Sequence, residues 1–226
     1  MTREVKSRAQ NSTLRREQTA LTRARIVEGA AAVFKLRGYE GARIEDIAKE
    51  AGVAVPTVYK VFTNKRNLLK ASVDEAMTGG GAGELERQAW WREQLEEPTA
   101  EGQLRLIARN ARRIYDRAGQ LLEVVRAAAA SDGEMEALWQ SINDERLARS
   151  RTSAKRLANK AKLRMAGAGA TRTLWALSGP ELYVLQIYSG GLAPDDYERW
   201  LGDLLVSALL EHESVRRAGG PEAQGR

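Results

Sequence analysis

Few side chains in this sequence can do covalent or metal chemistry. Cysteine is absent and histidine occurs once, as His212 between Glu211 and Glu213. A lone imidazole without thiolates makes no ordinary zinc site, and near the end of a helical stripe it reads as a surface residue. Gly79-Gly80-Gly81-Ala82-Gly83 could cradle a phosphate. No Gly-Lys-Ser/Thr follows it and no strand precedes it, so it reads as a flexible break. With no nucleophile elbow and no His-x-x-x-His pair, the residues predict neither an enzyme nor a cofactor or metal. Phosphate and base recognition remain. Pro56, Thr57, Tyr59 and Lys60 are small, polar, aromatic and basic in turn, which suits a helix laid in the major groove with its first residues at base edges. Arg43 and Val55 belong to the same candidate surface. Asn64 and Lys65 open a further helix, where a cap, free N–H groups and a cation would clamp a phosphate.

The elements that position these groups are short. Ile44, Ile47, Ala48 and Ala51 fall at i, i+3, i+4 and i+7 on one helical face. Gly52 supplies the left-handed residue that ends a helix, and Val53 returns the chain to the core. Val58 and Phe62, four apart, mark the buried side of a second helix. The pattern is a helix-turn-helix. A preceding helix from about Thr22, closed by Gly38, carries Ile26, Ala30, Val33 and Phe34 and braces it from behind.

Gly38-Tyr39, the I-x-D-I-A-x-x-A-G-V run from Ile44, T-V-Y-x-x-F from Thr57 to Phe62, and Asn64-Lys65 with Leu68 together resemble the tetracycline-repressor (TetR) family. The resemblance covers residues 25–73, under a third of the chain. It departs at three positions: Ala54 stands where the family usually has a Ser or Thr cap, Val61 replaces a frequent Tyr, and Pro56 a frequent Gly. A lost cap costs about 0.5–2 kcal/mol, while proline is tolerated in a first turn. More loosely, W-A-L-S-G-P-E-L-Y and Y-E-R-W-L resemble the C-terminal part of many such regulators, where the last two helices pair with their copies in a four-helix bundle. The resemblance implies a double-stranded DNA partner with a palindromic operator, a homodimer and a repressor released by a small-molecule effector.

The whole chain agrees with a helical, nucleic-acid-binding protein. Residues 1–70 carry 15 Lys/Arg against 7 Asp/Glu, net +8 in a chain of +6, so the basic balance coincides with the helix-turn-helix. Alanine is abundant and aromatics are 6%, which favours packed helices over sheet. No apolar run nears the roughly 18 residues of a membrane span, and no signal-peptide h-region opens the chain; a cytoplasmic protein without a membrane partner is expected. The fold class is all-α. Residues 1–18 read as a disordered basic arm, 19–66 as the DNA-binding domain, 67–212 as a helical regulatory and dimerisation domain, and 213–226 as a flexible tail.

Within the regulatory part, Gly119 is expected to end a helix that opens at Thr99, and Ser131-x-x-Glu134 to cap a helix reaching about Leu163. Pro180 should split the next helix near Ser178. Asn110, Arg126, Trp139 and Trp175 are candidate walls of an apolar effector pocket. Leu174, Leu185, Tyr188, Leu201, Leu204, Leu205 and Ala208 are the candidate dimer interface, since helices apolar over a wide arc need cover on both sides. Two other classes fit the residues: an architectural protein coating DNA with little sequence preference, and a helical ligand-binding protein without regulation.

Overall fold

A computed structural model describes residues 2–80, 85–165 and 167–211, with side chains from Leu14 onward. His212, the 213–226 segment and Gly81 to Gly83 of the glycine run lie outside the described residues. Among those described the secondary structure is helical, apart from one antiparallel bridge between Leu163 and Leu210.

Helix α1 (Thr2–Gly41) buries Ile26, Val27, Ala30, Val33 and Phe34 and bends at Gly38, whose φ is 69°. The stretch expected to be a disordered arm is helical from Thr2. The physical reason lies in its composition: before Gly29 there is neither glycine nor proline, and Arg, Lys, Glu, Gln, Ala and Leu are good helix formers. Helix α2 (Ile44–Ala51) ends at Gly52, with φ 63° and ψ 40°, and the Val53 N–H returns to the Ala48 carbonyl at 2.9 Å. The Arg25 guanidinium reaches across from α1 to the Ala51 and Gly52 carbonyls at 2.7 and 3.2 Å, closing the C-terminus of α2.

Helix α3 (Val55–Val61) starts without a side-chain cap at Ala54, as the sequence predicts, and turns Val58 inward. Phe62 is buried just beyond its end, with the Arg23 guanidinium 5.2 Å from the ring centroid. Burying Val58 and Phe62 contributes about 1.5–3 kcal/mol each, enough to hold a seven-residue helix that could not form alone. Helix α4 (Lys65–Thr78) is capped by Asn64, whose side chain accepts the Asn67 N–H at 2.8 Å, and it stops at Gly79.

A one-turn 3₁₀ segment (Leu85–Arg87) leads to α5 (Ala89–Glu96) and then to α6 (Ala100–Ala128), the longest helix of the regulatory part. Gly119 does not break α6. A Cβ there would lie 3.3 Å from the Tyr183 ring, so the glycine admits an aromatic side chain against the helix instead. Helix α7 (Gly133–Ala158) is capped by Asp132, which accepts the Glu134 and Met135 N–H groups, and not by Ser131. It ends five residues before Leu163. Helix α8 (Ala168–Leu177) and α9 (Pro180–Tyr183) part at Ser178-Gly179, where proline requires, and a wider π turn (Val184–Ser189) leads on toward α10 (Pro194–Leu209).

Helix α6 is the common support: α1, α4, α5, α7, α9 and α10 all pack on it. One continuous apolar core runs from Ile26 to Leu210. Helix α4, which holds the expected boundary between residues 66 and 67, lies against both α1 and α6 and belongs to both halves. No helix among the described residues is long and apolar enough to cross a membrane.

Candidate nucleic-acid interface and ligand cavity

The helix-turn-helix separates its two faces sharply. Val58 is 1% exposed and Tyr59 52%. Lys60, Pro56, Arg43 and Asn64 are exposed beside Tyr59, while Thr57 is half-buried. Val55, counted with the DNA-facing set, is half-buried against the core, because the first turn of α3 leans on α2. The open face of α3 thus offers a phenol and an ammonium with a threonine hydroxyl at their edge, groups that donate to and accept from base edges and phosphates.

Lys65 sits differently from its expected role. Its ammonium donates to the Tyr39 carbonyl at 2.8 Å and the Ala42 carbonyl at 3.3 Å, and lies 4.4 Å from the Tyr39 ring centroid. Two of its three donors are therefore spent on the carbonyl-rich end of α1, where a cation is favoured. Lys65 ties α4 to α1, and a phosphate could take only the remaining donor. Arg37, near the end of α1, pairs with Asp46 on α2.

In the regulatory part, a cavity of about 90 Å³ opens between α5, α6, α7 and α8. Trp90, Trp91, Ile107, Ile114, Tyr115 and Leu174 give its apolar wall, and Asn110, Gln94, Ser153, Arg146 and Arg149 its polar one. The polar groups are held in sequence. Asn110 Nδ2 donates to Gln94 Oε1 at 3.0 Å, and Gln94 Nε2 donates to Ser153 Oγ at 3.3 Å. This fixes the Asn110 amide so that its Oδ1, buried, has no partner among the described residues. Arg146 is held by Asn143 Oδ1 at 2.7 Å and the Trp175 carbonyl at 3.1 Å, with its guanidinium 5.5 Å from the Trp175 ring centroid. Tyr115 donates its hydroxyl to the Ser178 carbonyl at 2.9 Å. Burial raises its pKa, so the phenol stays protonated and keeps that bond.

Of the four residues expected to line a pocket, Asn110 lines this cavity. Trp175 stands behind the wall and orients Arg146. Trp139 lies a turn further back, its carbonyl taken by Asn143. Arg126 is on the outer side of α6 in a two-pronged contact with Glu123, because its position faces water. Sequence reasoning missed Trp90, Trp91, Gln94, Arg146 and Arg149. The adjacent tryptophans were the one signal available, since Arg146 and Arg149 are hidden in a basic, weakly apolar run.

The candidate dimer residues divide too. Leu174, Leu201 and Leu205 are buried within a single chain and belong to its own core. The reason is that α10 lies along α6, where Leu201 and Leu205 fill the seam, while Leu174 is on α8, which packs on α7 and α10. Leu185 and Tyr188 are 56% and 46% exposed, and Leu204 and Ala208 are half-buried on the outer side of α10.

Residues 26–72 match the family described as bacterial regulatory proteins, tetR family. No curated protein is similar enough to the chain to match it. Among solved structures the fold is shared with the transcriptional regulator FadR from Bacillus subtilis in complex with stearoyl-CoA, at 21% identity and a TM-score of 0.65, covering 82% of this chain and 98% of that one. It is shared with SmeT in complex with triclosan, at 18% identity, a TM-score of 0.64 and coverage of 85% and 93%. A TetR-like transcriptional regulator from Rhodococcus sp. RHA1 is 16% identical, with a TM-score of 0.55 and coverage of 88% and 97%.

Proposed function

We infer that this chain, a member of the tetR family of bacterial regulatory proteins by its residues 26–72, is a transcriptional repressor that binds a palindromic operator as a homodimer and leaves it when a small molecule enters the regulatory cavity. The observation that carries the reading is α3 itself: Tyr59 and Lys60 open to solvent, directly beside a buried Val58, on a helix braced by α1 and α2. A two-fold dimer presents two such helices to half-sites one helical turn, about 34–36 Å, apart. Base contacts from Thr57, Tyr59 and Lys60 give specificity, while Arg43 and Asn64 set the register on phosphates.

The cavity supports the effector. Neighbours of the same fold hold stearoyl-CoA and triclosan in the corresponding proteins, and in this chain the cavity has an aromatic wall with a few placed polar groups. A mechanical route leads from it to the DNA. Asn110 and Ile114 wall the cavity on α6, and Arg117, two turns beyond Asn110, donates to the Ala76 and Met77 carbonyls at the end of α4 at 2.9 and 3.1 Å. The other end of α4 holds α1 through Lys65. A ligand that fits one α6 position better than another shifts α4, and with it the distance between paired recognition helices. Cytoplasmic location and the lack of an enzymatic role follow from this function.

Selection of bound sequences from a random DNA pool tests the reading. A palindromic winner is expected, favoured over random DNA by about 10³–10⁷. Affinity independent of sequence would instead make the protein an architectural DNA coat.

A further inference from the structure

The cavity's polar wall is cationic. Arg146 is 8% exposed along its side chain and Arg149 14%, and both line the same small space. Among the described residues their carboxylate partners are partly exposed: Glu181 at 3.7 Å from Arg146, Glu86 and Glu145 at 3.1 and 3.7 Å from Arg149, each 43–64% exposed. Among the described residues no aspartate or glutamate lines the cavity itself. Inside, Arg146 meets Asn143, the Trp175 carbonyl and the Tyr115 hydroxyl, three partners for a fork of five donors. In the same cavity the Asn110 Oδ1 acceptor is buried without a partner among the described residues, its amide fixed by Gln94. Trp90 and Trp91, edge to face with centroids 6.2 Å apart, close the apolar side with Tyr115.

We propose that the effector is a small aromatic carboxylate whose anion lies between Arg146 and Arg149, whose ring lies against Trp90, Trp91 and Tyr115, and whose own hydroxyl or N–H donates to Asn110 Oδ1. Guanidinium is matched to carboxylate by its planar fork, and such a bond in a nearly dry site is worth roughly twice a neutral one. A cationic ligand meets two like charges, and a neutral one offers their remaining donors no charged partner. The anion also competes with Glu86 for Arg149. Glu86 sits on the 3₁₀ turn beyond α4, so occupancy loosens a tie between α7 and the segment that follows the DNA-binding half.

This rests on the effector reading for its regulatory consequence, but binding is measured apart from DNA. The probes are 4-hydroxyphenylacetate, 4-hydroxyphenylacetamide and tyramine, which share one ring and differ in end-group charge, with indole-3-acetate and its amide as a larger pair, titrated calorimetrically into the full chain. At least one acid is expected to bind about tenfold or more tighter than its amide, with tyramine weakest. Arg149→Gln should erase the preference for acid over amide while leaving the amide's affinity in place. A merely structural role would weaken both alike. Arg146→Lys, which keeps the charge and loses the fork, should reduce the preference without abolishing it. Equal binding of acid and amide, tighter tyramine, or no binding by either acid overturns the proposal. If octanoate binds tenfold tighter than both aromatic acids, the aromatic half is wrong. Operator release is then followed by fluorescence anisotropy. Acids that bind without releasing DNA leave the ligand class standing and end the effector reading; release by a neutral compound that competes for the cavity does the opposite.

Discussion

Tyr59 and Phe62 are three residues apart and answer to different forces. Tyr59 gains little from folding, since about half of it stays in solvent, whereas Phe62 fills the seam behind α3 under Arg23. Tyr59→Ala is therefore expected to weaken operator binding and leave the melting temperature within a degree or two, and Phe62→Ala to cost about 3–5 kcal/mol of folding. Thermal melts beside operator titrations separate the two, and a larger melting loss for Tyr59→Ala would invert the faces. Lys65 belongs with the structural group. Removing its ammonium leaves the Tyr39 and Ala42 carbonyls short of a charged donor, so Lys65→Met should cost about 1.5–3 kcal/mol of stability. The slope of log affinity against log salt should fall by less than the ~0.9 that a full phosphate contact carries. A stable variant with a full unit lost would return Lys65 to the phosphate.

At the scale of elements, α4 is a rod with a clamp at each end, Lys65 on α1 and Arg117 on its C-terminal carbonyls. Arg117→Ala frees the second clamp without touching the cavity or the DNA face. Effector binding measured by calorimetry should persist, while the effector's influence on operator affinity, typically about 5–150-fold in coupled systems, shrinks toward none. Undiminished release would place the coupling in another contact between α4 and α6. How much of this was legible depended on range. Gly52, Asn64 and Pro180 act on neighbours within four residues, so sequence alone located the turn, the cap and the split. Gly119 misled because its reason is Tyr183, 64 positions later, and nothing local reports a ring lying against a helix. Ser131 lost to Asp132 because adjacent residues compete for one set of N–H groups and the carboxylate reaches two of them. Arg146 was invisible for the same reason as Gly119: its partners Trp175 and Glu181 lie on α8 and α9.

For the whole molecule, the wide apolar arc of the last helices has two causes that only the fold divides. One side, Leu201 and Leu205 of α10 against α6 and Leu174 on α8, belongs to the chain's own core. The other side holds Leu185, Tyr188, Leu204 and Ala208. It is backed by a chain of rings in which Tyr188 meets Tyr183, Tyr183 meets Tyr197 and Tyr197 meets Trp200, with centroids 5.9, 5.1 and 5.8 Å apart. Exposed apolar side chains on a rigid aromatic base are what a two-fold partner would cover. Charge placed on each side should then fail differently. Leu185→Glu with Leu204→Glu is expected to give a folded, helical monomer with collapsed operator affinity, because one recognition helix makes half the contacts. Leu201→Glu buries an unpaired carboxylate in the core and is expected to unfold the chain before any dimer is lost. Sedimentation velocity at micromolar concentration, with circular dichroism on the same samples, reads both outcomes. A wild type that sediments as a monomer, or a Leu185/Leu204 double variant that stays dimeric, would move the interface elsewhere and remove the basis for reading two half-sites.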